Sequence, residues 1–344
     1  MLRKRLKASM ITIRDVAQKC GYSVASVSKA LNGREDINVE TARIIRTKAN
    51  EMGYFPNAAA RTLKTNHTKN IGILFVDQTG VGLTHEYFAM ILNNIKTKAE
   101  SLGYDITFIS RNISGFSMSY LDHCRYRHCD GVVVVSVDFS DPDVMDLVRS
   151  DIPTITIDYV FDERTSILSD NAQSMRDLVK YVYGKGHRSL AFIHGEDTNV
   201  TRKRLGSFYN TCRELGVEVP EEYVKSALYH DPKSSGRATR ELLDLKNRPT
   251  CIFYPDDFSY LGGMTEIEKH GLSVPDDLSV VGYDGILLSQ VLRPRLTTLQ
   301  QDTILIGQKA AEMLIDEIEH PKSYFPQQIV IPGKILEGDT VKEI

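Results

Sequence analysis

TIRDVAQKCGYSVASVSKALNG, residues 12–33, holds two short helical patterns around a tight turn. Thr12 has the hydroxyl to cap a helix through Lys19, with Asp15 in the first turn and Val16 and Ala17 facing inward. Gly21, directly after Cys20, supplies the turn. Ser23 then caps a second helix through Leu31, with Val27 and Leu31 one turn apart, and Asn32-Gly33 stops it. Two short helices joined by a three-residue turn predict a helix-turn-helix, whose first helix braces against phosphates while its second lies in the major groove.

Outward from this stretch the pattern stays helical, then changes. A third helix is expected from about Val39 to Met52, with Ile45, Ala49 and Met52 as its inner stripe and Gly53 as its stop. In residues 56–70 Pro56 ends the preceding element, and Asn57 can cap a two-turn helix through Leu63 that is too short to be stable alone in water. Beyond Lys69, apolar strands alternate with helices. The strands are IGILFVD (71–77), DITFIS (105–110), DGVVVVS (130–136) and PTITID (153–158), then LAFIHG (190–195), CIFYP (251–255) and LSVVGYD (278–284). Helices are expected from Tyr87 to Leu102 and at about 171–184, 203–216, 235–246 and 260–271. Near-continuous apolar strands separated by helices are the mark of parallel sheets covered on both faces, and two such series predict two doubly wound α/β lobes behind an all-α head. The expected layout is a basic leader (1–10), a head (11–55), a hinge helix and linker (56–69) and a body (70–344). Within the body one lobe takes about 70–168 and 300–330, the other about 169–299 and 331–344.

Composition narrows the function classes. A chain of 344 residues with 42% hydrophobic and 25% charged residues is an ordinary globular protein of two or three compact units. No apolar run reaches the length of a membrane span, and the basic start MLRKRLKASM leads into no apolar stretch, so neither a membrane protein nor a signal peptide is expected. Five scattered cysteines fit a reduced, cytoplasmic compartment better than a disulfide framework. Residues 1–70 carry 14 Lys+Arg against 5 Asp+Glu, a balance of +9, while the remainder carries 28 against 40, a balance of −12. A basic head on an acidic body points to nucleic acid as the partner of the head.

At this point the pattern becomes specific. Asp15-Val16-Ala17, Gly21, Ser23, Val27-Ser28, Leu31-Asn32-Gly33, Gly53-Tyr54 and Pro56-Asn57, extended by Ala60-Arg61, Leu63, Thr68 and Ile71-Gly72, resemble the lactose-repressor (LacI/GalR) family of bacterial transcription regulators. The resemblance implies a homodimer on a pseudo-palindromic operator in double-stranded DNA. Val24, Ala25 and Lys29 sit where the family reads bases, Lys29 in a slot more often held by Arg. Packing within the head is the other reading of Val24. Ser23, Ser26 and Ser28 are assigned to phosphates and capping. Thr12, Asn32, Tyr54, Asn57, Arg61 and Lys64 complete the expected DNA-binding set. In the family the leucine matching Leu63 wedges into the minor groove at the operator centre, the alternative here being a core anchor.

The body resembles the family's periplasmic-binding-protein-like core, through Gly186-His187-Arg188, Val280-Val281-Gly282-Tyr283-Asp284 and Pro294-Arg295-Leu296-Thr297-Thr298. Ligands of open α/β lobes bind at the carboxyl ends of strands. Asp158, Asp256 and Asp284 fall there, and Arg204 stands at the family's effector-arginine position. Tyr87, Phe88, Phe161 or Tyr229 would face the ring of a sugar. Asp256 where Asn is common, Gly285 where a second Asp often follows and Tyr260 in a usual Ala slot depart from the family pattern.

His123-Cys124 and His128-Cys129 recur as metal ligands do, but Arg125 and Arg127 between them oppose a cation. No catalytic fingerprint appears, so neither enzyme activity, nor a cofactor, nor a metal is expected. The expectation is a cytoplasmic, homodimeric repressor of carbohydrate-use genes, switched by a small sugar-like effector. The alternatives are a nucleobase corepressor, a phosphoprotein partner, or a solute-binding protein without DNA function.

Overall fold

Thr12 and Asp15 cap the first helix reciprocally: the Thr12 hydroxyl accepts the Asp15 N–H at 3.4 Å, and the Asp15 carboxylate accepts the Thr12 N–H at 2.7 Å. The structure, a computed structural model, describes residues 11–31, 33, 36–55, 67–76, 82–113 and 115–344. It divides into two units, 1–68 and 69–344. In the first, α1 (Ile13–Cys20) ends at Gly21 in the left-handed region, φ 72, where a side chain would be strained. The Ser23 hydroxyl accepts the Ser26 N–H at 3.0 Å and starts α2 (Val24–Leu31). Asn38 caps α3 (Val39–Glu51), accepting the N–H groups of Glu40 and Thr41. Val16, Ala17, Val27, Ala30, Ala42, Ile45 and Ala49 form the core of this unit. Met52 caps α3, so the helix ends one residue earlier than its pattern predicts, but its half-buried side chain packs against this core as expected. The leader 1–10, Asn32 and the linker residues Asn57, Arg61, Leu63 and Lys64 lie outside the described residues.

The second unit is built on two six-stranded sheets. In chain order the strands are β1 (Asn70–Phe75), β2 (Asp105–Ile109), a small hairpin β3 (Asn112–Ile113) and β4 (Phe116–Ser117), β5 (Gly131–Ser136), β6 (Thr154–Ile157) and β7 (Ser166–Ser169). Then follow β8 (Leu190–His194), β9 (Val224–Ser226), β10 (Cys251–Phe253), β11 (Ser279–Asp284), β12 (Thr297–Gln300), β13 (Gln328–Ile331) and β14 (Lys334–Leu336). One sheet runs β13-β7-β6-β5-β1-β2 and is parallel throughout. The other runs β14-β12-β11-β10-β8-β9, with only β14 antiparallel. Each sheet is one lobe, and the chain crosses between lobes after β7, after β12 and between β13 and β14.

Helices cover the sheets. In the amino-terminal lobe these are α4 (Glu86–Ser101), α5 (Tyr120–Tyr126), α6 (Pro142–Arg149) and, from the far end of the chain, α12 (Thr303–Glu319). Ile91, Ile95 and Ala99 of α4 share one core with Ala310, Ala311 and Leu314 of α12. The carboxy-terminal lobe carries α7 (Asn171–Gly184), α8 (Asn199–Glu214), α9 (Pro232–Leu243), α10 (Tyr260–Lys269) and the short α11 (Leu287–Val291). Two of these start earlier than the apolar periodicity suggests. Thr198 caps α8, and Asp231 with Pro232 in the first turn starts α9. Arg204 therefore sits in the second turn of α8 and does not open it.

Candidate functional site

On the head, the second helix of the pair offers an exposed face. Val24 is 43% exposed and Ala25 is exposed, so the head's core does not consume either side chain. Lys29 Nζ lies 2.6 Å from the Asp36 carboxylate, both groups being exposed, and must exchange that partner to reach a base. The hydroxyls of Ser23 and Ser26 lie 2.9 Å apart, Ser28 is half-buried, Thr12 is exposed, and Tyr54 packs against the core.

In the body, a cavity of about 600 Å³ opens where the carboxyl ends of both sheets face one another. Of the residues expected there, Tyr87, Phe88, Asp158, Arg204, Tyr229 and Asp284 line it. Arg204 is the fixed point. Only 4% exposed, it donates from Nε to Asn171 Oδ1 at 2.7 Å and from Nη1 to the Pro255 carbonyl at 3.0 Å, with its guanidinium 3.5 Å above the Tyr283 ring. Burial opposes its charge, but the phenols of Tyr283 and Tyr229 and the Asp284 carboxylate outweigh that and hold it firmly protonated. Both hydrogen bonds end on neutral acceptors, which leaves its charge for the cavity.

Asp158 follows β6 in the left-handed region, φ 57, where its carboxylate accepts the Ser169 N–H at 2.8 Å. Burial raises its pKa, partly offset by that bond and by Arg204. Asp284 ends β11 at φ 102 and accepts from Gln301 Nε2 at 2.7 Å; Gln301 in turn accepts from the Tyr87 hydroxyl at 3.3 Å. This relay joins α4 of one lobe to β11 of the other through a crossing segment. Burial pushes Asp284 up to about 6, with His230 and Arg204 holding it back. The Tyr229 hydroxyl lies 2.8 Å from that of Thr201, and its ring presses on Gly195, where any Cβ would collide with it.

Two expected residues do not reach the wall. Asp256 is 1% exposed and spent internally, accepting the N–H groups of His230 at 2.9 Å and Ser259 at 2.7 Å and the Ser259 hydroxyl at 2.8 Å. Its burial cost is overcome by His230 and these donors, so its pKa lies below the ordinary range. Phe161 backs Tyr159 and Phe139 at centroid distances of 4.8 and 5.9 Å. Instead of Asp256, His230 lines the cavity. Its Nδ1 is 3.4 Å from Asp256, an ionic attraction that, with Asp284, raises its pKa against the effect of burial. The His85 ring, at the start of α4, meets it edge-on at 3.7 Å. His230 follows β9 and Gln301 directly follows β12, short strands with no readable period, so no signal in the sequence marks either residue.

The suspected His/Cys site is occupied by protein contacts. His123 Nδ1 meets the backbone of Ser110 at 2.8–2.9 Å, and its other ring nitrogen faces Arg127 Nε at 3.4 Å. Among the described residues no cluster of three or more His, Cys, Asp or Glu could hold a metal ion, and no helix is long and apolar enough to cross a membrane.

The first unit is a helix-turn-helix head, and the second is a two-lobed α/β body with a cleft at the carboxyl ends of its sheets. Residues 12–57 match the model for bacterial regulatory proteins of the lacI family, and residues 179–341 match that for a periplasmic binding protein-like domain. The chain is 31% identical over 316 residues to the HTH-type transcriptional repressor PurR of Pectobacterium carotovorum subsp. carotovorum (strain PC1), covering 90% of this chain and 91% of that one. Its fold is similar to that of the Lac repressor dimer bound to operator and the anti-inducer ONPF (TM-score 0.75, 23% identity, 96% of this chain and 99% of that chain). It is also similar to the transcriptional regulator CelR in complex with cellobiose (TM-score 0.69, 22% identity, 96% and 99%). The chain belongs to the lacI family of bacterial regulatory proteins, and is a DNA-binding transcription regulator.

Proposed function

We propose that this protein is a cytoplasmic repressor that binds a pseudo-palindromic operator as a homodimer and is switched by a sugar-type ligand in the interlobe cavity. The observation that carries the reading is Arg204, a buried cation fixed by neutral acceptors and turned toward a cavity that Asp158 and Asp284 also line. Carboxylates accept ligand hydroxyls and the guanidinium donates to them, which suits a polyhydroxylated ring. Asp138, Glu196 and Asp197 add further acceptors to the same wall. The CelR neighbour, solved with cellobiose, supports this class. A nucleobase corepressor is the second reading, favoured by the 31% identity to a repressor named PurR and by the rings of Phe88 and Tyr229 on the wall.

Thermal shift against sugars, sugar phosphates and nucleobases separates the two, because a ligand bound only by the native state raises the melting temperature. A sugar that does so while nucleobases do not is the expected result; the reverse replaces the sugar with the nucleobase. Coupling to DNA is assigned to the linker. Leu63→Ala should weaken operator binding at least tenfold, by loss of a minor-groove wedge, and leave ligand affinity of the free protein unchanged. A lowered melting temperature of the free variant would return Leu63 to the role of a core anchor.

A further inference from the structure

We propose that Cys124 and Cys129 form a redox-active dithiol, which a hydroperoxide converts reversibly into a disulfide beside the first residues of the body. Neither cysteine lines the interlobe cavity, so the inference stands apart from the ligand that fills it.

The turn after α5 brings the pair together. His128 stands in the left-handed region, φ 50, and two hydrogen bonds close the helix. The His128 N–H donates to the Arg125 carbonyl at 3.0 Å, and the Cys129 N–H donates to the Cys124 carbonyl at 2.9 Å. This is a Schellman turn, in which the residues in the places of Cys124 and Cys129 pack their side chains against each other. With ordinary bond lengths the 2.9 Å bond keeps their Cα atoms within about 7 Å, the outer limit for a disulfide. The Cys124 thiol donates to Cys129 Sγ, and both side chains belong to one apolar core.

The two sulfurs are not equivalent. Cys124 is wholly buried, whereas Cys129 is half-buried and so the one a small oxidant reaches. Cys129 Sγ also accepts from Asn70 Nδ2 at 3.6 Å. The Cys124 thiol and the charge of Arg127 favour the Cys129 thiolate and outweigh burial and Asp130, so its pKa lies below the ordinary thiol value. That thiolate attacks one oxygen of hydrogen peroxide: an S–O bond forms, the O–O bond breaks, and the leaving hydroxide takes up the proton Cys129 lost, as water. The Cys124 sulfur then attacks Cys129 Sγ, the S–S bond forms, and the S–O bond breaks. The hydroxide leaves with the Cys124 proton as a second water. The sulfurs give up two electrons to the peroxide, and a dithiol reductant returns them.

The same turn holds the start of β1. Asn70 Nδ2 donates to the Arg127 carbonyl at 3.2 Å, and the Asn70 carbonyl accepts the Asp130 N–H at 2.8 Å. The Asp130 carboxylate accepts the Lys69 N–H at 2.8 Å. Lys69 opens the body directly after the linker. A disulfide engages the sulfur that Asn70 grips and re-aims this turn, so oxidation loosens the base from which the linker extends.

The full-length protein is treated with hydrogen peroxide at a dose that fully oxidises free glutathione in a parallel tube. It is then alkylated in denaturant and digested with trypsin, which separates the two cysteines at Arg125 and Arg127. Mass spectrometry should find their peptides joined, two hydrogens lighter than their sum, and dithiothreitol should part them. In Cys124→Ser, dimedone should trap Cys129 as its sulfenic acid. Recovery of both as free thiols, or a bond to another cysteine, overturns the pairing. Oxidation should also weaken operator binding by about fivefold, the low end of ordinary coupling between sites. Cys129→Ser, with a melting temperature near the parent's, should keep its operator Kd under peroxide. An operator Kd that peroxide leaves unchanged in the parent, or shifts equally in Cys129→Ser, overturns the link to the linker.

Discussion

Asp284 shows how much of the proposed switch rests on single side chains. Its φ of 102 is one that L residues rarely adopt, and Gln301 and the neighbouring charges hold it there. With its pKa pushed up to about 6 by burial, the carboxylate is ionised at pH 7.5 and gains a proton increasingly as pH falls below 6. A protonated carboxyl is a weaker acceptor for a ligand hydroxyl. Ligand affinity should therefore drop severalfold between pH 7 and pH 5, and Asp284→Asn should flatten that profile. For folding the sign is opposite. The folded state holds this proton more tightly than the unfolded chain, so the stabilisation is present at low pH and is lost as pH rises through about 6. Asp256, depressed by His230, works the other way and loses its contribution only in strong acid. Lys29 belongs to the same scale. Because its partner Asp36 is exposed, exchange for guanine costs little, and Lys29→Ala should lose about 1–3 kcal/mol on a preferred operator but much less on random DNA. Equal losses on both would make it a phosphate contact.

Elements were legible where a strand or helix is long and apolar, and obscure where tertiary pairing defines them. The strand patterns at 71–77 and 130–136 mark β1 and β5 because both faces of these strands are covered by helices. Ser166–Ser169, Val224–Ser226 and Lys334–Leu336 are three or four residues each, at or near sheet edges or lobe crossings, and carry no period long enough to read. The same limit applied to the site: Asp158 and Asp284 stand at the ends of readable strands and Arg204 lies within a readable helix, whereas His230 and Gln301 follow strands too short to read. Asp256 stood at such an end too, but its carboxylate turned inward to three donors. Close helix packing was equally silent. At Gly262 of α10 a Cβ would drive into the carbonyl of Pro232, the first residue of α9, so only glycine lets these helices meet. Gly262→Ala should cost about 1–3 kcal/mol in urea unfolding, as overpacking does. A variant as stable as the parent would mean that the two helices can part freely.

At the scale of the whole molecule, the proposed switch requires that the body have two arrangements that the ligand tells apart. The lobes are joined by three crossings and touch through Tyr87–Gln301–Asp284 and through His85 against His230, so a ligand among these groups would change what holds the lobes together. Coupling of this kind is reciprocal and typically amounts to about 1–3 kcal/mol, or roughly 5–150-fold in affinity. The most direct measurement is fluorescence anisotropy of the full-length protein on an operator selected from random DNA, titrated with and without the sugar that most raises its melting temperature. The operator Kd should change at least fivefold with the ligand, in either direction, and Arg204→Ala should abolish that change while leaving the ligand-free Kd within twofold of the parent. An operator Kd that the bound ligand leaves unchanged would contradict the account.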